Sequence, residues 1–139
     1  PDCVVCNRAH RITFDEESNI LPYKEWDLMS FRTKKPSHLL LQTGVGGVLY
    51  PPNCLYKDVF EVKLFQKLSP NNDDIWLKFM LLLNDTKVVK TSSLFRNFFD
   101  IEGSQEVALN RINVIGKKND VQIENIVKHY SINFSEIEM

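Results

Sequence analysis

Residues 43–52 read Thr-Gly-Val-Gly-Gly-Val-Leu-Tyr-Pro-Pro, and this stretch is called the glycine segment below. It holds three of the five glycines of a 139-residue chain, all within four positions. Glycine is favoured where φ is positive or where a Cβ would block a close approach. No Gly-Lys-Ser/Thr ending of a phosphate-binding loop follows, and the two prolines stop a helix or central strand. We therefore predict a strand that enters a tight bend and leaves in a rigid, extended conformation.

The bend has two interpretations that the residues alone leave open. It is either a purely structural turn or the wall of a site where a flat ligand, such as a sugar ring, lies against the backbone. In the second case Tyr50 would stack on a ring face or donate its hydroxyl group.

A helix is predicted to begin at Asp73, about twenty residues after the glycine segment. Its buried face is formed by apolar residues at helical spacing: Trp76, Phe79, Met80 and Leu83. Asp73 and Asp74 are explained either by capping and the helix dipole, or by catalysis. In the catalytic interpretation, one carboxylate points into a cleft and takes a proton from an acceptor hydroxyl as a general base.

Further elements follow from hydrophobic patterning. Strands are predicted within 3–14, 38–42 and 88–89, and short helices over 23–31 and 106–112; 95–103 is an aromatic loop. A helix starting at Asp58 is predicted to use Glu61 in a capping box and to end at Pro70, with an apolar stripe of Phe60, Leu64 and Leu68. A last helix is predicted to be capped by Asn119 and Gln122, with an apolar face of Ile123, Ile126, Val127 and Tyr130.

Short strands alternating with helices predict a mixed α/β fold, as a single domain over 1–139. The strands are few for a complete doubly wound sheet. A partial sheet exposes apolar surface unless a partner covers it, and a homodimer would provide such a partner.

Composition excludes several classes of protein. A formal net charge of −1 argues against a nucleic-acid binder, and no apolar run approaches the roughly 18 residues of a membrane span.

Cys3 and Cys6 form a Cys-x-x-Cys pair, but the other two ligands of a zinc site are missing, so no metal is assigned to this chain. Both are predicted to pack as small apolar residues, and three cysteines fit a reducing, cytoplasmic setting.

A polar group, Asn7, Arg8, His10 and Arg11, follows the first predicted strand. Strand ends often carry ligand contacts in α/β sheets, and an arginine here would pair with a diphosphate. The alternative is a solvated turn. His10 is a candidate base without a visible partner.

Four stretches occur in an order that resembles bacterial GT-A-type glycosyltransferases of capsule and surface-polysaccharide synthesis. They are Val5-Cys6-Asn7-Arg8-Ala9-His10, residues 43–52, Asp73-Asp74-Ile75-Trp76, and Asn119-Asp120-Val121-Gln122-Ile123. The resemblance implies transfer of a sugar from a nucleotide-sugar donor to a saccharide acceptor. It implies that Asp74 or Asp73 is the base and that Gly46, Gly47 and Tyr50 line the sugar site. Asn7, Arg8, His10 and Trp76 are predicted as further substrate-binding residues.

In such enzymes an Asp-x-Asp motif of the N-terminal half holds Mn²⁺ or Mg²⁺ on the nucleotide diphosphate. This sequence contains no Asp-x-Asp. We therefore expect a partial GT-A-like sheet with flanking helices, the C-terminal, acceptor-side portion of a glycosyltransferase, inactive without the other half. The resemblance implies a cytoplasmic protein, either free or peripheral at the inner membrane face. The alternative function is a non-catalytic carbohydrate-binding or protein-interaction module.

Overall fold

The computed structural model describes residues 2–30, 35–91 and 117–137. Its central sheet is mixed: β1 (Val4–Cys6) lies between β4 (Val48–Leu49), which is antiparallel to it, and β5 (Val88–Lys90), which is parallel. A second sheet pairs β2 (Ala9–Arg11) with β3 (Leu40–Gln42) in antiparallel register. With three α-helices in the described ranges, the chain is a small mixed α/β protein.

The glycine segment has the predicted strand, bend and extended exit. β3 ends at Gln42, a 3-10 turn occupies Gly44–Gly46, and β4 follows directly. Gly47 closes the turn with a φ of 84°, a conformation that strongly favours glycine.

The predicted helix at Asp73 is confirmed as α2 (Asp73–Leu83). Asn72 is its N-cap, and its side-chain oxygen accepts the N–H of Ile75 at 3.1 Å. Trp76, Phe79 and Met80 are buried as expected, whereas Leu83 is only partly buried. They belong to the main core, whose buried residues are Ile12, Tyr23, Trp26, Leu39, Leu41, Leu68, Ile75, Trp76, Phe79, Met80, Ile123 and Ile126.

The predicted start of the preceding helix is wrong. Lys57–Phe60 is a 3-10 turn, and α1 (Val62–Leu68) begins only after Glu61, whose ψ of 80° interrupts the helical path. The Asp58 carboxylate is not a cap, because it accepts the Tyr130 hydroxyl at 3.0 Å. Phe60 is 86% exposed and does not continue the apolar stripe.

The last helix, α3 (Lys118–Tyr130), is confirmed, but its predicted capping box is wrong. Lys117 is the N-cap residue, in a left-handed conformation and without a side-chain cap. Asn119 accepts from the Asn72 amide at 2.9 Å. Gln122 Oε1 accepts the N–H of Asn71 at 2.9 Å. Both side chains therefore join α3 to the start of α2.

The helix predicted over 23–31 is limited to one 3-10 turn, Tyr23–Glu25. Trp26 is buried with its indole N–H donated to the carbonyl of Leu21 at 2.8 Å, and Asp27 forms a β-bridge with Arg11. This long-range pairing replaces the helical path. The predictions over 95–103 and 106–112 lie outside the described residues.

Cys6 and Cys54 are buried, and Cys3 is partly buried; none of the three forms a disulfide. Cys6 and Cys54 belong to the second cluster, whose buried residues are Val4, Cys6, Ala9, Leu40, Cys54, Leu81 and Val88. Within the described ranges, no helix has the length and apolar character needed to cross a membrane.

Candidate functional site

Asp74, the second residue of α2, faces the glycine segment. Its Oδ1 accepts the backbone N–H of Gly44 at 2.9 Å, and the carboxylate is only partly exposed. A Cβ added to Gly44 would lie 3.3 Å from this oxygen, tighter than an ordinary contact. A glycine at position 44 therefore lets the start of α2 approach the bend closely.

Burial raises the pKa of Asp74 to about 6. The Gly44 N–H bond and the positive charge of Arg8 act in the opposite direction, while the neighbouring Asp73 carboxylate raises the pKa further. Asp73 itself is exposed. The two adjacent carboxylates therefore differ in environment, and Asp74 is the one directed into the protein.

Arg8 and two tyrosines surround Asp74. The Arg8 guanidinium is close enough to lower the pKa of both Asp74 and Tyr23. Its Nε is buried and makes no hydrogen bond with the residues that the structure describes. Burial, with Asp74 as the next contribution, raises the pKa of Tyr23 to about 12. The cluster thus combines a carboxylate, a guanidinium and a neutral phenol.

Tyr50 belongs to the same neighbourhood. Burial raises its pKa to about 12, and the charges of Asp74 and Asp73 add to this shift. Its hydroxyl oxygen accepts from the Gln42 amide at 3.2 Å. Tyr50 is partly buried, and its contact with a ligand stays a prediction.

Asn7 holds the glycine segment in place. Its Nδ2 donates to the carbonyl of Gly46 at 2.9 Å, and its Oδ1 accepts the Thr91 hydroxyl at 2.8 Å. Its backbone N–H also bonds the carbonyl of Gly47 at 3.3 Å. Both ends of this amide are occupied within the protein, which makes Asn7 a residue that positions Gly46 and Gly47.

His10 and Trp76, also predicted to bind substrate, lie in the interior instead. His10 is 4% exposed, its Nδ1 accepts the N–H of Met29 at 2.9 Å, and burial lowers its pKa to about 4. Trp76 is 3% exposed and donates its indole N–H to the carbonyl of Val59 at 3.3 Å. β-Strand pairing turns His10 inward, and the helical spacing of α2 places Trp76 in the main core.

A cleft of about 490 Å³ lies between residues 20–25 and the first half of α3. Ile20, Leu21 and Pro22 form one apolar side, and Ile123 and Val127 the other. The walls include two residues that link the cleft to α2: Tyr23, whose phenol interacts with Asp74, and Asn119, which bonds Asn72. This volume lies within the range of small-molecule sites, roughly 300–1,000 Å³.

Sequence reasoning missed Gly44, Tyr23, Gln42 and Lys78. Lys78 had a visible signal, because it is the one charged residue in the apolar run 75–83 and follows Asp74 by one helical turn. No sequence pattern marks Tyr23 or Gln42, since their neighbours in the fold come from distant parts of the chain.

In the described ranges, no three His, Cys, Asp or Glu side chains are grouped so that they could hold a metal ion. No protein-family model, curated protein or solved structure matches the chain.

Proposed function

We propose that this chain is the acceptor-side part of a glycosyltransferase that moves a sugar from a nucleotide donor to a saccharide acceptor. The observation that carries the proposal is the Asp74 carboxylate. One oxygen is fixed by the Gly44 N–H at 2.9 Å, and Oδ2 makes no hydrogen bond within the described residues. This second oxygen is free to accept the proton of an acceptor hydroxyl as that hydroxyl attacks the donor sugar.

The electrostatics of Asp74 suit a general base. A pKa of about 6 leaves the carboxylate ionised at neutral pH, yet more basic than an ordinary aspartate. Bases are most effective when their pKa lies near the working pH. Asp73, exposed and one residue earlier, lowers the tendency of Asp74 to ionise through its charge, and we assign it no proton transfer.

The groups around Asp74 match the rest of the substrate. Arg8 offers its guanidinium to an anionic group such as a diphosphate, and its buried Nε makes no hydrogen bond with the part of the chain that the structure describes. Gly46 and Gly47 lie in the bend itself, and Tyr50 offers a hydroxyl group. The cleft beside Tyr23 provides space for the acceptor.

The donor half lies elsewhere in this proposal. The chain has no Asp-x-Asp, and its described residues do not fit a metal site. A donor-bound Mn²⁺ or Mg²⁺ would be held by residues outside this chain, and no step assigned to Asp74 depends on it.

A second candidate is a non-catalytic module that binds a carbohydrate or a protein. It is favoured by two apolar side chains at the glycine segment, Val45 and Leu49, which are 58% and 62% exposed. Both belong to the glycine segment, and exposed apolar patches are typical of interaction surfaces. Both candidates use the same face, but only the first requires Asp74 to exchange a proton.

The test is nucleotide release from a panel of sugar nucleotides with manganese and saccharide acceptors, in the natural polypeptide that carries this chain. Asp74→Asn should reduce turnover about 10²–10⁴-fold, the usual contribution of a general base. Asp73→Asn, the matched exposed control, should retain turnover within about tenfold of wild type on the same reasoning. Equal turnover in wild type and Asp74→Asn would exclude the base. Saccharide binding without nucleotide release by the wild type would favour the binding module.

A further inference from the structure

Two polar side chains lie fully buried beneath the glycine segment, and each has an atom without a partner. Lys78 on α2 and Gln42 on β3 are both 0% exposed. Within the described ranges, Lys78 Nζ and Gln42 Oε1 make no hydrogen bond. One is a donor and the other is an acceptor. Buried polar groups are nearly always hydrogen-bonded, to protein or to ordered water, so this pair requires an explanation.

Both side chains point toward the second cluster. Lys78 precedes Leu81 by three residues on α2, so the two share a face, and Leu81 belongs to that cluster. Gln42 follows Leu40 by two residues on β3, so these two also share a face, and Leu40 belongs to the same cluster. Cys6 is a further member of this cluster, and Lys78 and Cys6 each influence the pKa of the other through their charges. The orphan donor and the orphan acceptor therefore enter one interior region.

We propose that Lys78 and Gln42 form an internal water-binding site beneath the glycine segment, in which one water molecule bridges Nζ and Oε1. A buried water needs two to four polar partners, and these two atoms supply the minimum. Leu40, Leu81 and Val88 of the second cluster carry no hydrogen-bonding side-chain group, and the thiols of Cys6 and Cys54 are weak donors and acceptors. The inference does not depend on the proposed function.

The bridging water would orient Tyr50. With Oε1 bound to the water, the Gln42 amide must present Nε2 to the Tyr50 oxygen, the arrangement seen at 3.2 Å. The Tyr50 oxygen then accepts, and its own proton is left to donate in another direction. Because Tyr50 interacts electrostatically with Asp74, this donor lies near the candidate site. Gln42 is thereby a positioning residue for Tyr50.

The protonation of Lys78 agrees with such a site. Burial lowers its pKa to about 7, and among the described residues Cys6 on β1 acts in the opposite direction. Cys6 is in turn influenced by Lys90 on β5, and burial raises its pKa to about 11. A neutral amine can both donate to a water and accept from it, whereas an ammonium can only donate.

The test is a crystal structure of the chain at a resolution that shows ordered solvent, grown above pH 8. We expect a water about 2.7–3.2 Å from both Lys78 Nζ and Gln42 Oε1. Lys78→Met should lose this water, whereas Lys63→Met, an exposed control on α1, should keep it. A dry site, or a direct bond between Lys78 and Gln42, would overturn the proposal.

A second measurement does not depend on a folded variant. In the wild type, a long-lived water should give cross-peaks to the Gln42 side-chain amide protons in water–protein NOE spectra, with the sign of a slowly tumbling, bound molecule. Absence of these cross-peaks, in spectra where the side-chain N–H signals of Gln42, Asn7 and Trp76 are themselves well resolved, would contradict the site.

Discussion

The two buried faces of α2 differ in chemistry. One face carries Ile75, Trp76, Phe79 and Met80 into an apolar main core. The other carries Asp74, Lys78 and Leu81 toward the glycine segment and the second cluster. The first face contributes apolar burial, which stabilises the fold. The second places ionisable groups where water is scarce, which costs stability and moves their pKa values toward neutrality. We infer that the first face fixes the position of α2 and the second serves the site.

The largest effect on stability should come from the apolar face. Trp76→Ala should lower the free energy of unfolding by about 3–5 kcal/mol, because it leaves a cavity in the main core. Phe60→Ala is the matched control, an aromatic residue that is 86% exposed, and should change it by less than about 0.5 kcal/mol. Urea denaturation measures both. Similar losses in the two variants would show that Trp76 is not a core residue and that this face of α2 does not stabilise the fold.

The second face of α2, which carries Asp74 and Lys78, should make the free energy of unfolding depend on pH. The pKa of Lys78 falls from 10.5 to about 7 on folding, so between these values the unfolded chain binds more protons and stability rises with pH. His10, lowered from 6.5 to about 4, and Asp74, raised from 3.8 to about 6, act below this window. Cys6, raised from 9.0 to about 11, acts above pH 9 and in the opposite direction.

Urea denaturation between pH 7 and 9 should therefore show a rise of up to about 1.4 kcal/mol per pH unit, the value for one proton. Lys78→Met should remove the rise, and the exposed control Lys63→Met should keep it. An unchanged slope in Lys78→Met would mean that Lys78 is solvated in the folded protein.

A smaller effect is expected where α2 meets the bend. In Gly44→Ala the new Cβ would press on Asp74 Oδ1 at 3.3 Å, so the side chain must shift and the Gly44 N–H bond must weaken. Since that bond lowers the pKa of Asp74, the pKa should move above its wild-type value of about 6. The stability loss should stay within about 1 kcal/mol, because Gly44 does not need a positive φ.

Gly47→Ala is the contrasting variant. Its φ of 84° should cost about 1–3 kcal/mol through backbone strain. Its Cβ would approach Asn7 Nδ2 at 3.9 Å, an ordinary contact away from Asp74. An Asp74 pKa that moves equally in both variants would show that the Gly44 contact is not specific.

Elements decided by local pattern were predictable from the sequence. The spacing of Trp76, Phe79 and Met80 is enough to place α2, and the glycines and prolines are enough to place the bend. Asn119 and Gln122 looked like a local capping box, but distant partners on Asn72, Asn71 and Ser69 compete for them. No local pattern reveals such a competition.

The same division applies to the site. Asp74 was selected as a candidate because two acids at a helix start exceed what capping needs, and its role as a base stays a prediction. Gly44 was part of the glycine segment, but its bond to Asp74 was not predictable, because the 2.9 Å bond joins residues thirty positions apart. For Trp76 the helical spacing correctly predicted a buried side chain, which does not agree with the substrate contact also predicted for it. His10 gave no such local signal, because its burial follows from strand pairing with distant residues.

The protonation of Asp74 is measured most directly by NMR titration of the aspartate side-chain carboxyl carbons, in wild type and in Asp74→Asn. We expect one aspartate that titrates near pH 6 and is absent from the variant, and the Gly44 amide shift should follow the same curve. If Asp74 instead titrates near 3.8 and the Gly44 amide does not respond, the carboxylate is solvated and the account of a buried base at the glycine segment is contradicted.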